Sequence, residues 1–141
     1  MQGAERRTFR KDIGELRRMS TWWREWAARA GLSGETAYGG EVCLNEAVGN
    51  IIQHGGDDQT PHAIQVTLEP STDAVRMTIV DDFRPFDPLQ HPASDSPQSL
   101  TEAPIGGRGI PLLRTYASEL RYRRDQGQNE LIMIFSRKSL S

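Results

Sequence analysis

The stretch "CLNEAVGNIIQHGG", residues 43–56, carries the apolar spacing of a buried helix and a polar residue at every fourth position of that same helix. Leu44, Ala47, Val48, Ile51 and Ile52 recur at intervals of three and four, which defines one helical face. Glu46, Asn50 and His54 are four apart. Such residues share one side of a helix, offset by about 40° per step, and form a slanted row at the edge of the apolar face. A solvated helix edge with a C-terminal His near the dipole accounts for such a row. The row also has a chemistry. An Asn amide oxygen is a hard ligand suited to Mg²⁺ that keeps several waters and bridges phosphates. A Glu one turn away can orient or deprotonate an attacking hydroxyl. His54 caps the helix or packs under such a site. A zinc centre finds no paired ligand spacing among one cysteine and three histidines.

Working outward, the helix is expected over 35–54, ended by the "GG" that follows His54. Gly39, Gly40 and Gly49 each cost it roughly 1 kcal/mol relative to alanine. Before it, Ile13, Leu16, Met19, Trp22, Trp23, Trp26, Ala27 and Ala30 keep a helical period over 12–30, with Gly31 as the stop. The three tryptophans are read as core, because large aromatics at helical spacing pack inward. "RTFR", residues 7–10, is read as a short leading strand. After the long helix, "AIQVTLE" (63–69) and "AVRMTIVD" (74–81) are β-runs joined by the turn "PSTD", which makes an antiparallel hairpin.

From Asp82 to Gly107 the chain turns irregular and holds Pro85, Pro88, Pro92, Pro97 and Pro104, five of its eight prolines. Loops of this length are usually functional lids or disordered. This lid region, about 82–108, ends in "IGGRG", followed by a short helix "IPLLRTYAS" with Pro111 in its first turn. "ELRYRR" and "ELIMIFSR" close the chain as two strands around the turn "DQGQN". The expected fold is a single α+β domain over 1–141: a two-layer sandwich with helices on one face of a mixed, mostly antiparallel sheet.

Composition narrows the function. A chain of 141 residues can bury a core without staples, and one cysteine permits no internal disulfide. A net charge of −2 with interspersed signs gives no case for nucleic acid or an anionic membrane. The charged N-terminus lacks an apolar h-region, and no run approaches eighteen apolar residues. The expectation is a soluble cytoplasmic protein.

Two further elements bear on chemistry. In "IGGRGIPLL", Gly106, Gly107 and Gly109 let backbone N–H groups approach an anion at a helix start, with Arg108 as an added charge. The cluster is neither a Walker A loop nor a dinucleotide fingerprint, and a tight loop-to-helix turn also uses glycine. In "VDDFRPFDP", Asp81 ends a strand where its carboxylate can accept a hydrogen bond from an exocyclic amine such as that of adenine. An ordinary turn aspartate has the same position.

With these motifs in this order, the sequence resembles the anti-sigma-factor serine/threonine kinases, stand-alone members of the GHKL ATPases with the Bergerat fold. "NEAVGNIIQH" resembles the family's N-box, "DDFRPFDP" its first glycine box and "GGRGIPLLRTYASELRYRR" its second. "GQNELIM" resembles its terminal hairpin. The resemblance covers nearly the whole chain, about residues 7–137. It implies ATP and Mg²⁺ as cofactors, with Asn50 binding the metal and so holding the phosphates. Glu46 is then the general base toward a serine or threonine hydroxyl, and Asp81, rather than Asp82, the adenine reader. Gly106, Gly107, Arg108 and Gly109 cradle phosphates. The implied partners are a STAS-domain anti-anti-sigma protein as substrate, a sigma factor, and a second copy of the chain. One position departs from the pattern: Phe83 stands where the D-x-G motif has glycine, and the expectation is that it stacks on or crowds the adenine. A non-phosphorylating binding module is therefore an alternative. An ATP hydrolase and a histidine-kinase catalytic fragment also belong to the superfamily; the first usually needs further domains, and the second a helical phosphoacceptor segment.

Overall fold

A computed structural model describes residues 3–54, 63–83, 85, 87, 89 and 109–137, apart from the side chains of residues 54 and 109–111. Five strands form one sheet in the order β1-β2-β3-β5-β4. They are β1 (Glu5–Arg10), β2 (Ala63–Pro70), β3 (Ala74–Asp81), β4 (Glu119–Asp125) and β5 (Gln128–Ser136). Among the described residues three helices join them: α1 (Glu15–Ala30), α2 (Gly34–His54) and α3 (Gly109–Tyr116).

Every neighbouring pair is antiparallel. The mixed character expected above is thus corrected among the described strands. The cause is a count of reversals. One crossover helix returns a strand parallel to its predecessor. Two helices in succession, α1 and α2, reverse the chain once more and bring β2 back antiparallel to β1.

Alternation sorts the strands into two faces. Ile64, Val66, Leu68, Val75, Met77, Ile79, Leu131, Met133 and Phe135 are buried on one face, beneath the helices. Trp22, Trp23 and Trp26 are core, each at most 2 % exposed. Gly31 stops α1 in the left-handed region at φ 72°, and Leu32 N–H reaches back to Ala27 O at 3.1 Å. α1 begins later than periodicity suggests, because Asp12 Oδ1 accepts the Gly14 N–H at 3.0 Å and holds that turn out of the helix. The turn expected as "DQGQN" contracts to Gln126 and Gly127, with φ of 51° and 77°, between the paired Asp125 and Gln128. Two positive φ values in succession match the twist of a two-residue hairpin.

The sheet edges are β1, with Arg6, Arg7 and Arg10, and β4, with Arg121, Arg123 and Arg124. Among the described residues no helix is long and apolar enough to cross a membrane. Most of the expected lid lies outside the described residues, as do the two glycines expected to end α2.

Candidate functional site

α2 is fixed to the sheet at its start. Ser33 Oγ accepts the Thr36 N–H at 3.1 Å as an N-cap, and Thr36 Oγ1 donates to Ser136 O at 2.9 Å, at the far end of β5. From Thr36 to Asn50 a helix advances about 21 Å. From Ser136 back to Asn129 a strand covers about 23 Å. α2 therefore carries Asn50 toward the end of the sheet where Asn129 pairs with Asp81. Asn50 is buried at 4 % exposure, and Glu46 is half-buried one turn before it.

α3 runs against α2 in the opposite sense. Gly39 receives the ring of Tyr116, and Cys43 Sγ lies 3.9 Å from Leu112 O. Three residues further along each helix, Gly109, the first residue of α3, comes level with Glu46. The N-terminus of α3 thus faces the end of the molecule that holds Asn50. Gly106, Gly107 and Arg108 lie outside the described residues, as does the side chain of His54.

Asp81 ends β3 and is buried at 4 % exposure. Its Oδ1 accepts two hydrogen bonds: Phe83 N–H at 3.1 Å, an Asx-type turn, and Asn129 Nδ2 at 2.9 Å. Burial pushes the carboxyl above its ordinary range, and neighbouring Asp82 adds to that push. The Asn129 amide, the Phe83 N–H and the Arg124 guanidinium pull in the other direction. Asn129 Oδ1 in turn accepts a hydrogen bond from the hydroxyl of Tyr122.

Phe83 does not present its ring for stacking. The side chain is 3 % exposed and packs into the hydrophobic core, with Lys11 Nζ 5.0 Å from the ring centroid. Its carbonyl is held by Arg124 Nη1 at 2.6 Å and approached by Asn129 Nδ2 at 3.5 Å. With its ring in the core, Phe83 does not offer a free face on which a base could stack, as the stacking half of the expectation required.

The described residues therefore bring Glu46, Asn50, Asp81 and the start of α3 toward one end of the sandwich. Among them no group of three His, Cys, Asp or Glu side chains could hold a metal alone. A single buried amide oxygen at Asn50 fits a cation that takes its remaining ligands from phosphates and water. Sequence reading missed Asn129, Tyr122 and Arg124. Their signal is weak: strand alternation places Asn129 and Tyr122 on the inner face, but only register shows that Asn129 stands opposite both Asp81 and Arg124.

Residues 9–135 match the family described as "Histidine kinase-like ATPase domain". The chain is similar to the serine/threonine-protein kinase BtrW of Bordetella bronchiseptica, with 31% identity over 112 residues, 79% of each chain. Its fold is similar to the RsbU and RsbW domains of Rv1364c from Mycobacterium tuberculosis, with TM-score 0.66 and 18% identity over 95% of this chain and 32% of that one. It is also similar to the histidine kinase domain of a blue-light activated histidine kinase from Erythrobacter litoralis, with TM-score 0.54 and 18% identity over 89% of this chain and 60% of that one. The chain thus spans about a third of the first of these solved chains and three-fifths of the second. Taken with the site geometry, these likenesses establish that the chain belongs to the histidine kinase-like ATPase domain family, among the serine/threonine-protein kinases represented by BtrW.

Proposed function

We propose that the chain is an ATP-dependent protein serine/threonine kinase of the anti-sigma-factor type. The observation that carries this reading is the placement of Glu46 and Asn50, one turn apart on α2, toward the sheet end that holds Asp81. Asp81 would accept the amino group of adenine. Asn50 would hold Mg²⁺ through its amide oxygen, and the ion, when bound, neutralises charge on the phosphates. Gly106, Gly107, Arg108 and Gly109 would receive those phosphates at the start of α3. Glu46 would orient an incoming serine or threonine hydroxyl and accept its proton. The proposed substrate is a STAS-domain anti-anti-sigma protein. The further partners are a sigma factor and a second copy of this chain, all in the cytoplasm. The alternative of a nucleotide-weakened binding module draws on Phe83 standing at the motif glycine, and the ATP titration below decides between the two.

The test mixes the protein with Mg-ATP and a STAS-domain protein and follows phosphate transfer, with Glu46→Ala beside the wild type. Transfer by the wild type and its loss in the variant, with ATP still bound, is the expected result. Persistent transfer in the variant removes Glu46 from the mechanism. Absence of ATP binding to the wild type at millimolar nucleotide by calorimetry removes the kinase reading.

A further inference from the structure

We infer that Tyr122, acting through Asn129, positions Asp81 as a one-sided hydrogen-bond acceptor, so that the site demands an amino group and rejects a carbonyl on the base it takes. The inference rests on the adenine-nucleotide reading above and deepens it by assigning positioning residues.

The direction of the chain follows from donor and acceptor inventory. An ionised carboxylate only accepts, so Asn129 must turn its Nδ2 toward Asp81, which it does at 2.9 Å. The amide oxygen then points away and needs a donor of its own. Tyr122 supplies it from β4. That hydroxyl adds a further restraint, beside the Asp81 carboxylate and the Phe83 carbonyl, against the flipped amide, which would set oxygen against oxygen at Asp81. Tyr122 is placed for the task by the sheet: it pairs with Leu131, two residues along β5 from Asn129 and on the same face.

Both donors to Asp81 among the described residues, Asn129 Nδ2 and Phe83 N–H, reach Oδ1. The carboxylate is thus anchored through one oxygen. A buried acceptor fixed in this way makes its demand on a ligand through the other oxygen, and that demand is for a donor. Among the described residues, the charged and titratable groups nearby are Asp82 beside it in the chain, Arg124 and Tyr122 from β4, and Lys11 over the ring of Phe83. Arg124 closes the arrangement by holding the Phe83 carbonyl, which keeps the Phe83 N–H aimed at Asp81.

The experiment compares wild type, Tyr122→Phe and Asn129→Leu in two measurements. In the nucleotide-free protein, the Asp81 carboxyl is titrated by carbon NMR. Loss of a donated hydrogen bond to the charged form should raise its midpoint, by roughly one pH unit in Asn129→Leu and by less in Tyr122→Phe. By calorimetry, Mg-ATP is compared with Mg-ITP, in which a carbonyl replaces the amino group. Tyr122→Phe keeps the ring and its packing, so the expected result is a roughly tenfold narrowing of the ATP preference with the fold retained. A loss that is equal for the two nucleotides overturns the specificity role. An unmoved Asp81 midpoint in both variants overturns the positioning role. If the wild type binds neither nucleotide, the kinase reading and the specificity role fall together, and the titration decides separately whether the bond chain positions Asp81.

Discussion

Gly40 of α2 lies directly against the ring of Trp23 of α1: a Cβ on Gly40 would sit 2.1 Å from Cζ2. The ring cannot withdraw. Trp23 is fully buried, stacks on Trp26 at 5.9 Å, and donates from Nε1 to Ala37 O at 2.8 Å. Gly40→Ala gains about 1 kcal/mol of helix propensity, but overpacking a closed core costs about 1–3 kcal/mol or more. Because the clash falls on a pinned ring, the cost falls at the upper end of that range, and the variant should lose about 2 kcal/mol net. Urea denaturation checks this. A midpoint at or above that of the wild type contradicts it.

At the start of α2, Ser33 Oγ accepts the Thr36 N–H and donates to Thr36 Oγ1 at 3.0 Å. Ser33→Ala should cost about 1 kcal/mol through the lost cap. It should loosen the anchor that sets the position of α2 along β5, so hydrogen exchange of the first turn of α2 should speed up more than that of α1. Equal protection in both helices would refute the anchoring role.

Cys43 is a buried free cysteine whose thiol is pushed up to about 12, by burial first and by the Glu46 charge second. The reactive thiolate is then almost absent at neutral pH. A thiol reagent such as DTNB should leave the native protein unmodified near neutrality and titrate one thiol per chain after denaturation. Rapid labelling of the folded protein contradicts this environment.

Asp81 has a linkage consequence. Its folded carboxyl is raised above the ordinary value by burial, so the folded state binds the proton more tightly than the unfolded state does. Its contribution to stability is greatest below the unfolded pKa and is lost as pH rises through the folded pKa. Near neutrality the wild type therefore carries a buried charge that Asp81→Asn removes, while an amide oxygen still accepts from Asn129 and Phe83 N–H. The variant should be as stable as the wild type or more stable near pH 7, with the difference shrinking toward about pH 4. It should lose discrimination between adenine and hypoxanthine nucleotides. Denaturation at the two pH values and nucleotide titration check both halves; marked destabilisation at neutral pH would contradict the first.

The elements were legible because their periods are strong. The tryptophan spacing of α1, the apolar face of α2 and the β-runs of both hairpins each encode a local rule. Glu46, Asn50 and Asp81 were legible as motifs because the first two are one turn apart and the third ends a strand. What escaped was pairwise. Gly39 and Gly40 read only as weak helix formers until Tyr116 and Trp23 were seen against them. Phe83 read as an obstacle because a sequence shows a residue type at a motif position but not the direction of its ring. Asn129 lies 48 residues from Asp81, and only the β3–β5 register makes them neighbours.

The two outermost strands are each studded with arginine: Arg6, Arg7 and Arg10 along β1, and Arg121, Arg123 and Arg124 along β4. Joining two copies rim to rim would set rows of guanidinium groups side by side, and such charges discourage strand addition. A strand added at either rim would have to lay its backbone beside these arginines.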